Sequence, residues 1–249
     1  IGPLIGAIIY SYYGITQAYI LIAILYLFSF LIIFSIDVPG ANYHKINIIK
    51  EIKTGIKYLN KNKVLVSIMF FAGLANLILF TLPGAYLPFI IKDIINGNAS
   101  DLALFNSFTA IGALIGSLIL SFGNLSNRPG KLVFSFLIIW HFSMFLTSII
   151  TNKLLLTLIL VIYGAAGSIT MISLAVLVLS ITQKDMIGRI IGIRQLAIFT
   201  LPVGLVISGY LIDTFGIIFS IQSVTIIGLI ITLTLGYKSK KFMNYKNIN

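Results

Sequence analysis

The sequence predicts an all-α, polytopic membrane protein, that is, a helical bundle that crosses the bilayer several times. Long uncharged runs follow one another along the 249 residues, and several hold about 20 mostly apolar residues, enough to span a hydrocarbon core of ~30 Å. Only 9% of the residues are charged, whereas soluble chains carry about 25%. Lysine and arginine are also confined largely to every second gap between the runs, as expected of loops that alternate between the two sides of a membrane.

The asymmetry of the basic residues predicts the orientation. Fifteen of the 17 Lys and Arg residues lie in the gaps 37–63, 128–131, 184–194 and 238–246. The alternate gaps hold only Lys92 and Lys153. The positive-inside rule therefore predicts that the basic side, with the C-terminus, faces the cytoplasm. A net charge of +11 is then explained by anionic membrane lipid beside these loops rather than by nucleic acid.

The first run, 1–36, is too long for one span and is divided by a turn at Gly14. Residues 18–36 form a full span. The preceding 12 residues would make a helix of only ~18 Å, so we expect the chain to begin inside a transmembrane helix and to be a fragment.

The basic loop 37–63 contains an amphipathic pattern. Ile52, Ile56 and Leu59 recur at helical spacing, with Lys53 and Lys57 between them. This predicts a helix lying on the cytoplasmic face of the membrane. A solvated linker and a hinge between two bundles are both compatible with it.

Six further spans complete the predicted organisation. They lie near 64–91, 102–123, 131–151, 154–180, 190–212 and 216–237. Pro83 and Pro88 predict a kink in the first of them. The predicted units are therefore a two-helix remnant of an N-terminal bundle (1–36), a linker (37–63), a six-helix bundle (64–237) and a basic cytoplasmic tail (238–249).

A weak internal repeat relates the two ends of the chain. A shift of 202 positions aligns Gly2 with Gly204 and Gly14 with Gly216, and in both regions a tight turn separates two apolar helices. The offset is half of a chain of roughly 400 residues built from two six-helix halves related by an axis along the membrane normal.

Short motifs carry a resemblance to a known family. Gly2-Pro3-Leu4-Ile5-Gly6-Ala7 resembles the antiporter motif G-P-x-x-G-G, and Gly188-Arg189-Ile190-Ile191-Gly192 resembles the stretch R-G-R-v-x-g. The loop 123–131 keeps Gly123, Arg128 and Lys131 of a G-x-x-x-D-r-x-g-r signature but has no Asp. The chain is similar to the latter two-thirds of a major facilitator superfamily transporter, most closely to the bacterial drug-exporter branch of macrolide efflux and siderophore export proteins.

The resemblance implies a major facilitator fold from the second half of the fifth helix through the twelfth. It also implies a bacterial cytoplasmic membrane location and, as partners, a small-molecule substrate and the first four helices of the same transporter. Its geometry directs the seventh, eighth, tenth and eleventh helices towards a central cavity. The predicted substrate path is Asn76, Asn106, Thr109, Tyr163, Ser168 and Gln195. An interhelical hydrogen bond is the alternative role for each of these side chains.

The remaining candidates concern gating and packing. The predicted gating or hinge residues are Gly2, Pro3, Gly6, Arg189 and Arg194, with charge topology alone as the alternative for the arginines. The predicted helix-packing residues are Gly112, Gly116, Gly204 and Gly209. His141, on the peripheral ninth helix, is expected to be a structural hydrogen bonder rather than a proton relay.

No enzymatic constellation is visible, and no cofactor or metal is predicted. The chain has no Cys and only two His, and its six acids all lie in loops or at helix ends. An intramembrane hydrolase is therefore disfavoured. The sequence predicts a secondary active transporter that exports hydrophobic or amphiphilic compounds by alternating access. The alternative is a non-transporting remnant or a structural membrane protein.

Overall fold

The computed structural model describes residues 5–6, 9, 12–36, 47–122 and 128–246. Every regular element in this part of the chain is helical, and seven of its helices are long and apolar enough to cross a membrane. The predicted all-α membrane bundle is therefore confirmed. The predictions made for Gly2, Pro3 and Gly123 fall outside the described residues.

The helices are numbered here in chain order. They are α1 Ile15–Ile33, α2 Ile48–Lys61, α3 Lys63–Ile94, α4 Ala99–Phe122, α5 Pro129–Leu146, α6 Lys153–Ile181, α7 Ile187–Ile198, α8 Leu201–Phe215, α9 Ile217–Lys238 and α10 Lys240–Met243.

Two glycine turns begin membrane helices. Gly14 precedes α1 with φ 87° and ψ 174°, and Gly216 separates α8 from α9 with φ 80° and ψ 163°. This backbone region is essentially restricted to glycine, because a Cβ there meets the neighbouring backbone. Each glycine carbonyl then accepts the first backbone hydrogen bond of the following helix, from Ala18 and Ser220 respectively.

Helix α3 departs repeatedly from α-helical geometry. Its π-helical turns are Ala75–Leu79, Leu82–Tyr86 and Ile90–Ile94. Proline lacks an amide hydrogen and clashes with the preceding turn, so Pro83 and Pro88 favour the wider hydrogen-bonding pattern. The predicted kink region thus takes the form of a series of π turns.

The predicted span 190–212 lies within one candidate membrane span, Lys184–Phe215, and the structure shows an interruption inside it that the sequence assignment did not include. It is divided into α7 and α8 at Phe199 and Thr200. Pro202 lies directly after this break and cannot donate a backbone hydrogen bond to the preceding turn. The two segments together still have the length and apolar character of one membrane span.

The bundle core lies between α3, α5 and α6. Trp140 is buried there between Phe80 and Tyr163, with ring centroids 5.1 and 5.7 Å away. Both ring pairs are edge-to-face, the geometry that aromatic pairs prefer. By contrast, α1 buries none of its residues in the structure.

Candidate functional site

The two interrupted helices, α3 and α7–α8, pack directly against each other. The hydroxyl of Thr200, at the break, donates to the carbonyl of Gly73 at 2.8 Å. A Cβ placed on Gly73 would lie 3.5 Å from the Ala197 carbonyl oxygen, and one placed on Gly204 would overlap the Leu77 carbonyl. At Gly73 this distance is an ordinary van der Waals contact, whereas at Gly204 only glycine permits the backbones to approach so closely. The break is therefore stabilised by the hydrogen bond from Thr200. Glycine contacts with α3 lie before the break, at Ala197, and after it, at Gly204.

Tyr163 of α6 is hydrogen-bonded to the π-helical part of α3. Pro83 has no amide hydrogen to donate to the Leu79 carbonyl four residues earlier, and the Tyr163 hydroxyl donates to that carbonyl. Inside a membrane no water can replace such a donor. Tyr163 is buried, so this predicted path residue satisfies a backbone group of the bundle core.

Three predicted path residues bond within their own helices. The side chains of Asn76, Asn106 and Thr109 donate to the carbonyls four residues earlier at 2.9, 3.1 and 3.1 Å. Asn76 is buried, whereas Asn106 and Thr109 are half-buried. An asparagine that uses one amide hydrogen in this way keeps its second hydrogen and its carbonyl oxygen for another partner.

The remaining two path residues lie on different helices. Ser168 is half-buried on α6, and Gln195 is exposed on α7, one turn before the break. Helix contacts connect Asn76, Thr109 and Tyr163. The carbonyl of Thr109 approaches Gly164, the neighbour of Tyr163, while Tyr163 reaches α3 three residues beyond Asn76. Helix α7, which carries Gln195, contacts the π turn of α3 that contains Asn76.

The predicted gate residue Arg189 forms an ion pair with Glu51 of the linker helix α2. The hydrogen bond from the guanidinium holds the pKa of Glu51 below its usual range. Gly55, one turn after Glu51, is buried against Ile193 of α7. The acid partner therefore lies in the linker. Arg194 is half-buried, and its Nε has no hydrogen-bond partner among the described residues.

The candidate packing glycines differ in their surroundings. A Cβ on Gly112 would overlap the Val161 carbonyl, and one on Gly116 would lie 2.5 Å from the Ala165 carbonyl oxygen. Both glycines thus lie where α4 touches α6. The Cβ position of Gly209 has no other heavy atom within 4 Å in the described part of the chain, and the same holds for the predicted hinge residue Gly6.

His141 is buried between α5 and α9. Its Nδ1 lies 2.9 Å from the Leu137 carbonyl oxygen, and its Nε2 lies 2.7 Å from the position that a Cβ on Gly228 would take. Sequence reasoning did not single out Thr200 or Gly73. The signal available for the break was the Leu201-Pro202 dipeptide, because the residue before proline disfavours helical geometry.

Comparison with known proteins establishes the family. A family model described as the Major Facilitator Superfamily matches residues 1–203. The chain belongs to the major facilitator superfamily. No curated protein matches it. The superfamily consists of transporters rather than enzymes, and the seven apolar helices make this chain a multi-pass membrane protein.

Major facilitator proteins contain structurally similar halves, and the glycine turns fit that plan. Gly14 and Gly216 are 202 residues apart and share one rare backbone conformation at the start of a membrane helix. The sequence alignment that pairs them therefore pairs residues with the same local structure.

Proposed function

We propose that the chain is part of a secondary active transporter that exports hydrophobic or amphiphilic small molecules by alternating access. In this proposal the described bundle moves against a second bundle, to which α1 belongs, in a bacterial cytoplasmic membrane with the C-terminus in the cytoplasm. Membership of a transporter superfamily supports transport in general. The contact between the interrupted helices α3 and α7–α8 is the observation that carries the mechanism.

Helix interruptions are suited to both binding and movement. Transporters commonly form their sites from discontinuous helices near the bilayer midplane, and π turns occur frequently at functional sites. Asn76 lies on a π turn of α3, and Gln195 lies beside the break between α7 and α8. We infer that these two amides contact substrate, and that the hydrogen bond between Thr200 and Gly73 couples movement of the two helices.

The chemistry of the path favours substrates with little charge. All six predicted path residues are neutral, and each offers hydroxyl or amide groups within apolar helices. A charged substrate leaving water would lose far more hydration than such neutral groups restore. Hydrophobic compounds with a few polar atoms fit this surface better.

Two glutamine substitutions test the proposal as a matched pair. The assay measures dye flux in liposomes containing a polypeptide that carries this chain and both bundles. Gln195→Ala should change the substrate KM roughly 2- to 10-fold, the effect of one hydrogen bond, with normal protein yield. Gln222→Ala is the control, because Gln222 of α9 donates to the Ser148 hydroxyl, just beyond the end of α5, at 3.2 Å. It should lower thermal stability and leave KM unchanged.

The result for Gln195 decides its role. Unchanged KM for several dyes would remove Gln195 from the path. Dye flux no faster than in empty liposomes would contradict export of this compound class altogether.

A further inference from the structure

One end of the bundle carries a basic pocket away from the proposed substrate path. It is a concavity of about 600 Å³ between the start of α3, the end of α9 and the tail helix α10. Four lysines line it, and none of the described residues that line it is acidic. The lysines are Lys63, Lys238, Lys240 and Lys241.

The pocket has a fixed base. The Ser67 hydroxyl donates to the Ser239 hydroxyl at 3.1 Å and so joins α3 to the residue that ends α9. Phe242 of the tail helix is fully buried, and its ring lies 5.3 Å from that of Phe71. A Cβ on Gly130 would overlap the Phe242 carbonyl. The tail is therefore packed onto the bundle, which keeps its lysines beside Lys63.

The electrostatics of this arrangement favour an anion. A cavity of this volume is about 10 Å across, which is comparable to the Debye length of about 8 Å at physiological salt. The ammonium groups around it are therefore only partly screened from one another, and a bound anion relieves their repulsion. Lys240 also lies 5.8 Å from the Tyr237 ring. The Ser239 hydroxyl accepts from Ser67 and keeps its own hydrogen to donate to an oxygen ligand.

We propose that this pocket binds a phosphate-bearing anion. Lysines act as compact charges for phosphate, and the lining combines them with hydroxyl groups and the apolar side chains of Val66 and Phe242. Two sources share this chemistry. One is the phosphate of an anionic phospholipid, since α3 begins and α9 ends here, and the other is a free diphosphate. This proposal for phosphate binding does not depend on whether the transporter exports or imports its substrate.

The experiment compares two double variants of equal charge. The chain contains no cysteine, so Asn244→Cys beside the pocket can carry the single environment-sensitive fluorophore. In one arm phosphatidylglycerol is titrated into phosphatidylcholine nanodiscs, and in the other inorganic pyrophosphate is added in detergent. The pocket variant is Lys238→Gln with Lys241→Gln. The control is Lys50→Gln with Lys53→Gln, which removes two exposed lysines of α2.

We expect a saturable response in at least one arm. Each lysine near an anionic surface increases the binding affinity about fivefold. Loss of two lysines in the pocket variant should therefore raise the half-saturating concentration of the anion by about 25-fold. The control should stay within about twofold of the parent. Response to phosphatidylglycerol alone identifies lipid as the source, and response to pyrophosphate with competition between the two identifies the phosphate group itself.

Two results would overturn the proposal. Equal shifts in the pocket variant and the control would show general attraction of basic loops to an anionic surface. A flat response in both arms would show that the pocket takes no phosphate. Both variants change exposed side chains, and equal melting temperatures in the absence of ligand verify that they fold alike.

Discussion

Enlarging Gly116 by one methyl group should separate α4 from α6. The Cβ of alanine would lie 2.5 Å from the Ala165 carbonyl oxygen, whereas ordinary van der Waals contact begins at 3.4 Å. The contacting atom is backbone, so rotation of a side chain cannot relieve the overlap. The two helices must therefore move apart by up to about 0.9 Å at this point.

The cost follows from the weaker dispersion attraction between the separated helices. A gap of 0.5–1 Å forfeits about a quarter to a half of the attraction between each pair of atoms. For on the order of 50 atom pairs at about 0.15 kcal/mol each, the decrease is about 2–4 kcal/mol. Alanine recovers about 0.5–1 kcal/mol of helix propensity relative to glycine. The net destabilisation is about 1–3 kcal/mol, or a fall in melting temperature of about 4–8 °C for 2 kcal/mol.

The assay is thermal unfolding of the detergent-purified chain, followed by loss of the monodisperse species. Gly209→Ala is the matched control, because its Cβ position on α8 has no other heavy atom within 4 Å among the described residues. That variant should melt at or slightly above the parent temperature. Equal melting temperatures for Gly116→Ala and Gly209→Ala would refute the reasoning about close helix approach.

Three further predictions concern orientation, the linker and the core. A cysteine at Lys57 should be labelled only from the cytoplasm and one at Asn98 only from outside, and labelling from the same side would contradict the proposed topology. Because the folded-state pKa of Glu51 is lowered, its stabilising effect is present at neutral pH and is lost as pH falls through that pKa. Amide protection in α2, measured as the exchange rate relative to the intrinsic rate at the same pH, should therefore fall in the parent only below the ordinary glutamate pKa of 4.5 and should change less in Glu51→Gln. Tyr163→Phe should cost about 1–2 kcal/mol in thermal unfolding, because the Leu79 carbonyl loses its hydroxyl donor, and an unchanged melting temperature would show that another group satisfies that carbonyl.

The membrane spans could be predicted because length and apolarity alone define them. The predicted spans 154–180 and 216–237 differ from Lys153–Ile181 and Ile217–Lys238 by one residue at each end. The amphipathic helix in the linker was likewise predictable from its 3.6-residue period and is present as Ile48–Lys61. The boundaries of the proposed bundles and the substrate path stay predictions.

The contacts of individual polar residues could not be predicted from the chain. Arg189 is predicted as a gating residue without a named partner, and in the described structure its guanidinium pairs with Glu51, 138 positions away in the sequence. Pro83 signals an irregular turn, but nothing local indicates that Tyr163 supplies the missing donor from another helix. Such pairings depend on helix packing, and a single sequence contains no distance between helices.

The glycine repeat shows where weak sequence similarity carries structural information. At an offset of 202 residues only a few small residues align, and similar apolar helices could align by chance. Gly14 and Gly216 nevertheless share φ values of 87° and 80°, in a region that costs other residues of order 1–3 kcal/mol. Side chains of apolar helices can be exchanged for one another as long as the helices pack, whereas a turn with this backbone conformation requires glycine. A match between two such glycine turns therefore carries more structural information than a match between the apolar helices beside them.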